Sequence, residues 1–321
     1  MKQRRTMIKL DLITGFLGSG KTTFIKKYAG YLLNRGERIC IIENDFGAIN
    51  VDMVMLKDLE GERCNLEMIV GGDGQEAHRR RLKTKLIAMA MQGYDRIIIE
   101  PSGIFDPDEF FDLVYEEPLD RWYEIGNVIC IVDPTLDKNI SDSSKYILAT
   151  EAAVSGVILF SKINFCSEED IKSSEKFLKK TMEDFGCLRE NQKFSLIALD
   201  WDSLAESDYK HIVKSGYNKV SYTKLPILDS DKFDTVFYFD FEMSEKNLRE
   251  NIQKIFLDSE CGYVHRIKGI VKNEDRSFYE INANRKNITS KTVTAERSIL
   301  IVIGEHLKKE KLSAYLGDAT L

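Results

Sequence analysis

An apolar run from Ile8 to Ile13 breaks into Gly15-Phe16-Leu17-Gly18-Ser19-Gly20-Lys21-Thr22 and then into a helical pattern from Thr22 to Asn34. That order leaves the chain little choice of fold. The eight residues satisfy every position of G-x-x-x-x-G-K-[ST], a loop that wraps its backbone N–H groups around phosphates. Turning back over an anion demands backbone conformations that glycine alone reaches cheaply, and Gly15, Gly18 and Gly20 meet that demand. Lys21 supplies a charge for β- and γ-phosphates and Thr22 a hydroxyl for Mg²⁺. Ser19 and Thr23 flank them, and the following helix points the positive end of its dipole at the site. The alternative, a glycine-rich turn with a chance lysine, does not call for strand, loop and helix in this sequence. Binding of a nucleoside triphosphate is therefore expected.

The 321 residues suffice for two domains, and 43% hydrophobic with 31% charged residues provides for a real core. With 46 Lys+Arg against 52 Asp+Glu the net charge is −6. A nucleic-acid partner, which needs a large basic face, is not expected. The short basic runs Lys2 to Arg5 and His78 to Arg81 read as a solvated terminus and a solvated helix face. The six cysteines, Cys40, Cys64, Cys130, Cys166, Cys187 and Cys261, stand singly without CxxC or CxC spacing, so neither a disulfide framework nor a closed zinc site is expected. No apolar run approaches a membrane span, and a cytoplasmic protein without membrane partners is the expectation.

Short apolar runs recur at Met7 to Ile13, Arg38 to Ile42, Arg96 to Ile99, Val128 to Val132, Val157 to Phe160 and Phe194 to Ala198. Helical patterns lie between them, as at Gln75 to Gln92 and Glu168 to Asp184. Continuous apolar strands spaced by helices predict a doubly wound α/β domain with a mainly parallel sheet, over residues 1–225. Beyond about residue 225, Thr235 to Phe241 alternates, Glu245 to Phe256 is helical, and strand-like runs follow near 263–271, 277–281 and 298–303 before a last helix over 306–316. These elements predict a smaller α+β domain over 232–321.

Three further segments fall where strands of such a sheet deliver ligands, beyond their carboxyl ends. Glu43-Asn44-Asp45-Phe46-Gly47 follows the second strand; Glu43 or Asp45 either holds Mg²⁺, directly or through water, or orients the attacking water, unless these acids simply end a strand. Glu100-Pro101-Ser102-Gly103 ends an apolar strand in an acid, and the Gly103 N–H is placed to sense a γ-phosphate. Lys21, Asp45 and Glu100 are the candidate catalytic residues, and Thr22, Glu43 and Glu100 the candidate Mg²⁺ ligands. Ser161-Lys162-Ile163-Asn164 stands where [N/T/S]-K-x-D motifs read guanine. Asn164 replaces the aspartate there, and an uncharged amide with one acceptor oxygen predicts a weakened guanine preference or a base read by other contacts.

GFLGSGKTT, ENDFG, EPSGIFDP, the strand ending Cys130-Ile131-Val132-Asp133, and LFSKIN occur in an order that resembles the CobW-type members of the metal-handling P-loop GTPases. Tyr263-Val264-His265-Arg266-Ile267-Lys268-Gly269 and Ile301-Val302-Ile303-Gly304-Glu305 resemble the C-terminal domain of the same family. The resemblance implies Mg²⁺-dependent GTP hydrolysis coupled to delivery of a metal such as zinc or cobalt, or to insertion or maintenance of a cobalamin-type cofactor. The client would be a metalloprotein or a corrinoid-dependent protein, and a homodimer is an open possibility. One departure bears on that reading. Where the family carries Cys-x-Cys-Cys, this chain reads Leu66-Glu67-Met68-Ile69-Val70-Gly71-Gly72-Asp73-Gly74, without a thiolate. Cys64, Asp73 and His78 lie near enough in sequence for a relocated site, although without motif spacing. A nucleotide-gated protein-binding scaffold without metal transfer, or an ATP-using variant, stays open as the alternative. A small-molecule kinase on the same scaffold has against it the lack of an Arg cluster for substrate phosphates.

Overall fold

The computed structural model describes residues 7–44, 51–69, 75–101, 105–187, 195–220 and 233–318. The chain divides into two compact units, Met1–Lys224 and Leu225–Leu321.

The first unit is built on seven parallel strands: β1 (Ile8–Thr14), β2 (Ile39–Asn44), β3 (Cys64–Ile69), β4 (Arg96–Pro101), β5 (Tyr123–Val132), β6 (Val157–Phe160) and β7 (Leu196–Ile197), in the order β3-β2-β4-β1-β5-β6-β7. Helices α1 (Lys21–Asn34), α2 (Val51–Leu56), α3 (Gln75–Met89), α4 (Pro107–Val114), α5 (Asp142–Val154), α6 (Glu168–Asp184) and α7 (Glu206–Ile212) accompany them. The apolar runs are continuous because both faces are covered, and the pleat divides each run between two cores. Leu10, Leu12, Cys40, Ile42, Ile97 and Ile99 join Leu82 and Leu86 of α3 and Phe110 and Leu113 of α4. Ile13, Ile39, Ile41 and Ile98 face the other way, onto Phe24, Ile25, Tyr28 and Leu32 of α1. The doubly wound parallel sheet predicted from the sequence is thus the architecture found.

Two of its strands differ from the pattern read in the sequence. β3 is absent from that pattern because Cys64-Asn65-Leu66-Glu67-Met68-Ile69 is half polar; an edge strand is open to solvent on one side and needs no continuous apolar run. Leu66–Ile69 therefore belong to the sheet edge. The fifth strand starts at Tyr123, where Gly126 and Asn127 had masked it. A side-chain carbon on Gly126 would lie 2.3 Å from Asp11 Oδ1, so only glycine lets the β1 and β5 backbones close around that buried carboxylate.

That carboxylate anchors a polar network across the sheet. Asp11, fully buried, accepts from Arg96 Nη1 at 2.8 and 2.6 Å, Tyr28 Oη at 2.6 Å and the Asn127 backbone N–H at 2.8 Å. Arg96 also donates to Glu37 at 3.0 Å. Asn127 Oδ1 in turn accepts from the Gly216 N–H at 2.9 Å, which ties the segment after α7 to the sheet.

The second unit is a five-stranded antiparallel sheet of β8 (Phe233–Phe239), β9 (Tyr263–Lys272), β10 (Phe278–Ala283), β11 (Ile288–Val293) and β12 (Ile299–Glu305), ordered β11-β10-β9-β12-β8. Helices α8 (Glu245–Leu257) and α9 (Lys309–Leu316) cover it through Leu248, Ile252, Leu312 and Leu316. β11 went unread in the sequence because Thr289, Lys291 and Thr292 leave this edge strand mostly polar.

Candidate phosphate and base site

β1 delivers the glycine-rich loop from the middle of the first sheet, between β4 and β5. Gly15, Gly18 and Gly20 all have positive φ, at 143°, 73° and 103°. A side-chain carbon on Gly15 would lie 2.2 Å from the Ile131 carbonyl oxygen, so the loop can enter the sheet only through glycine. Gly20 caps α1 in the left-handed region, leaving the first N–H groups of the helix facing the loop. The Lys21 ammonium spans the turn and donates to the Gly15 carbonyl at 2.8 Å. Ser19 within the loop and Ser161 beside it are buried, whereas Thr23 is exposed on α1.

Glu43 and Glu100 are register partners on β2 and β4. Their neighbours Ile41 and Ile98 face α1, so the two carboxylates project to that same side. Thr22 Oγ1 donates to Glu100 Oε1 at 3.0 Å, and all three residues are buried. A hydroxyl and two carboxylates form a hard oxygen set, which fits Mg²⁺ and not a soft metal. Asp45 and Gly103 lie outside the described residues, as do Gly71–Gly74 with Asp73.

Lys162, in the left-handed region at φ 55°, reaches from the end of β6 across the loop. It donates to the Gly18 carbonyl at 3.1 Å and pairs with Asp133, whose carboxylate also accepts from the Thr135 N–H at 2.8 Å. Asn164 sits on the turn that follows, and its side chain hydrogen-bonds Asp200.

One residue at the loop had no signal strong enough to single it out. Glu151 of α5 is fully buried, and its Oε1 accepts from Thr14 Oγ1 at 2.6 Å and from the Gly15 N–H at 3.3 Å. Oε2 has no hydrogen-bond partner among the described residues. Burial pushes the carboxyl up to about 7, against the opposing pull of the Thr14 hydroxyl, the Lys21 charge and the Gly15 N–H. The trace of it in the sequence is one acid within Ile147-Leu148-Ala149-Thr150-Glu151-Ala152-Ala153-Val154, where an amphipathic surface helix would carry more.

The relocated metal site is not assembled by the described residues: they bring no three or more His, Cys, Asp and Glu side chains together. Cys64 and His78 are both buried, and burial raises the Cys64 thiol to about 11, which disfavours the thiolate that a metal needs. No helix among the described residues is long and apolar enough to cross a membrane.

A glycine-rich loop leaving the central strand β1, a threonine at the start of its helix and two carboxylates on adjacent strands define a P-loop nucleoside-triphosphate-binding protein. The chain belongs to the CobW/HypB/UreG nucleotide-binding domain family, whose model matches residues 9–187. It is 27% identical over 225 residues to the zinc chaperone YeiR of Escherichia coli, a match covering 67% of each protein. A zinc-regulated GTPase metalloprotein activator 1 from Dictyostelium discoideum is 26% identical over 219 residues, covering 57% of this chain and 45% of that protein. Among solved structures, zinc-bound YjiA GTPase from E. coli aligns over 97% of this chain and 98% of its own at 20% identity, with a TM-score of 0.38.

Proposed function

We propose that this protein binds and hydrolyses GTP with Mg²⁺ and uses the cycle to deliver a transition metal to a client metalloprotein. The observation that supports the hydrolytic part is the Thr22–Glu100 hydrogen bond, with Glu43 the register partner of Glu100 on β2. Lys21 leaves the Gly15 carbonyl for the β- and γ-phosphate oxygens, where its charge counts most as negative charge moves onto the leaving group. Thr22, Glu100 and Glu43 would hold Mg²⁺, which when bound would supply electrostatic stabilisation of the phosphoryl group. Asp45 orients the attacking water, and Gly103 makes its loop responsive to the γ-phosphate.

The metal part is supported by the relatives, which are named zinc chaperones and a zinc-regulated activator. Zinc is accordingly the preferred cargo; cobalt, and a corrinoid-dependent client, come second. The C-terminal unit, with its likeness to the CobW tail, serves the client. A second reading keeps the GTP cycle without metal transfer, and what favours it is Gly71-Gly72-Asp73-Gly74 in place of the family's thiols.

Phosphate release from GTP with and without Mg²⁺, and equilibrium dialysis with Zn²⁺ and Co²⁺ in the GTP and GDP states, test the proposal. Mg²⁺-dependent turnover with nucleotide-dependent zinc retention is the expected result for the first reading. Turnover without stoichiometric metal retention selects the second, and no turnover sinks both.

A further inference from the structure

The base end of the site holds a carboxylate that the motif there lacks. β6 and β7 are paired neighbours, Ile158 with Leu196 and Leu159 with Ile197, so the segments leaving their carboxyl ends emerge side by side. The first carries Lys162 and Asn164, and the second carries Asp200 and Trp201. Trp201 is largely buried against α1, its ring 5.4 Å from that of Phe24 and edge-on at 65°, and it is the nearest side chain to the open face of Gly20 in the phosphate loop. Asp202 pairs with Lys27 of α1. Both contacts hold the turn carrying Asp200 close to the phosphate loop. Asp200 caps that turn, accepting from the Asp202 N–H at 3.1 Å, and also takes a hydrogen bond from the Asn164 amide.

Guanine offers two donors on one edge, N1–H and the exocyclic N2 amine, and a carboxylate accepts from both at once while an amide cannot. We infer that Asp200, delivered by β7 and steadied by Asn164 from the β6 turn, supplies the guanine-reading carboxylate of this site. The motif aspartate is thereby replaced by a carboxylate arriving from the neighbouring strand. Asn164 acts as the positioning residue: its NH₂ donates to Asp200 and orients it. The Asn164 hydrogen bond, followed by the Asp202 N–H, holds the Asp200 carboxyl below its ordinary value, so it is an acceptor throughout the physiological range. Guanine preference is thus retained despite the substitution at Asn164.

This inference rests on the GTP-binding reading, and the experiment separates the two. Dissociation constants for GTP, ITP, XTP and ATP are measured with Mg²⁺ on the wild type and on Asp200→Ala, Asp200→Asn and Asn164→Asp, with thermal melting as the check on folding. ITP lacks the N2 amine, and XTP carries an acceptor in its place. The wild type should prefer GTP over ITP and ATP by about 10-fold or more, as expected where a site hydrogen-bonds groups that its competitors lack. Asp200→Ala should bring GTP, ITP and ATP to within a few-fold of one another. Asp200→Asn, near-identical in shape, should shift preference from GTP toward XTP. Asn164→Asp removes the donor that orients Asp200 and sets two carboxylates together, so its GTP/ATP ratio should fall. Unchanged ratios in both Asp200 variants, or a ratio that rises in Asn164→Asp, would overturn the inference while leaving GTP binding intact. Failure of the wild type to bind any triphosphate would instead defeat the functional proposal beneath it.

Discussion

Two buried acids meet the apolar strand that opens the fold, one from within it and one from behind its carboxyl end, and the sheet treats them differently. Asp11, inside β1, is met by the Arg96 guanidinium, a tyrosine hydroxyl and a backbone N–H. Glu151, behind the end of β1, is met by one hydroxyl and a longer backbone contact, and burial drives its carboxyl up to about 7. A carboxylate with a full set of partners serves as a lock between strands. One with half a set gives way in its proton, and here it backs the glycine at which the phosphate loop begins. The difference teaches that the interior of the strand carries stability and its loop end carries chemistry. Substitutions should separate the two.

The largest effect is expected at the chemical end. Lys21→Ala should cut GTP turnover by about 1000-fold or more, since nothing replaces the charge on the β- and γ-phosphates, while melting shifts by only about 1 kcal/mol. Phosphate release beside thermal melting measures both. Wild-type hydrolysis of GTP and ATP by this variant would remove the loop from the mechanism.

Inside the strand the expected pattern is inverted. Arg96→Met leaves Asp11 buried without its cation and should cost about 3–5 kcal/mol in urea unfolding, with kcat per folded molecule unchanged. A mild effect on unfolding, or a large one on kcat, would break the division between strand interior and loop end.

Glu100→Gln sharpens the contrast within the site. It keeps shape and removes charge, so kcat should fall about 100-fold while GTP affinity changes by no more than a few-fold. Equal losses in both would reassign Glu100 to holding the β4 turn.

The subtlest expected effect is a pH dependence at Glu151. Its folded-state value of about 7 lies above the ordinary 4.5, so the folded chain binds this proton more tightly than the unfolded one. The stability linked to that proton is complete below about pH 4.5, is lost as pH rises to about 7, and stays lost above. Glu151→Gln, which still accepts from Thr14 and Gly15, should remove that slope and gain a few kcal/mol over the wild type at pH 8. Urea melts at pH 5, 6, 7 and 8 check it; a difference constant across that range would mean that Glu151 does not titrate there.

Much of the first unit was legible because its information is local. A strand buried on both faces has to be continuously apolar, a loop around phosphate has to be glycine-rich, and both show in a few adjacent residues such as Ile8 to Thr22. β3 and β11 were not legible, because an edge strand is excused from that rule. In the site, Lys21, Thr22, Glu43 and Glu100 were each visible, but the hydrogen bond from Thr22 to Glu100 was not, since it spans 78 positions.

The sequence by itself determined the phosphate loop, the parallel sheet that must present it and the family to which the chain belongs. Those follow from residue type at short spacing, where backbone sterics and burial leave one solution. Only the tertiary structure decided which acids share a place: Asp11 with Arg96, Glu151 with Thr14, and Asp200 with Asn164. Hydrogen bonds and desolvation act over a few ångströms of space, and strand order and helix packing bring those residues together across 36 to 137 positions of chain.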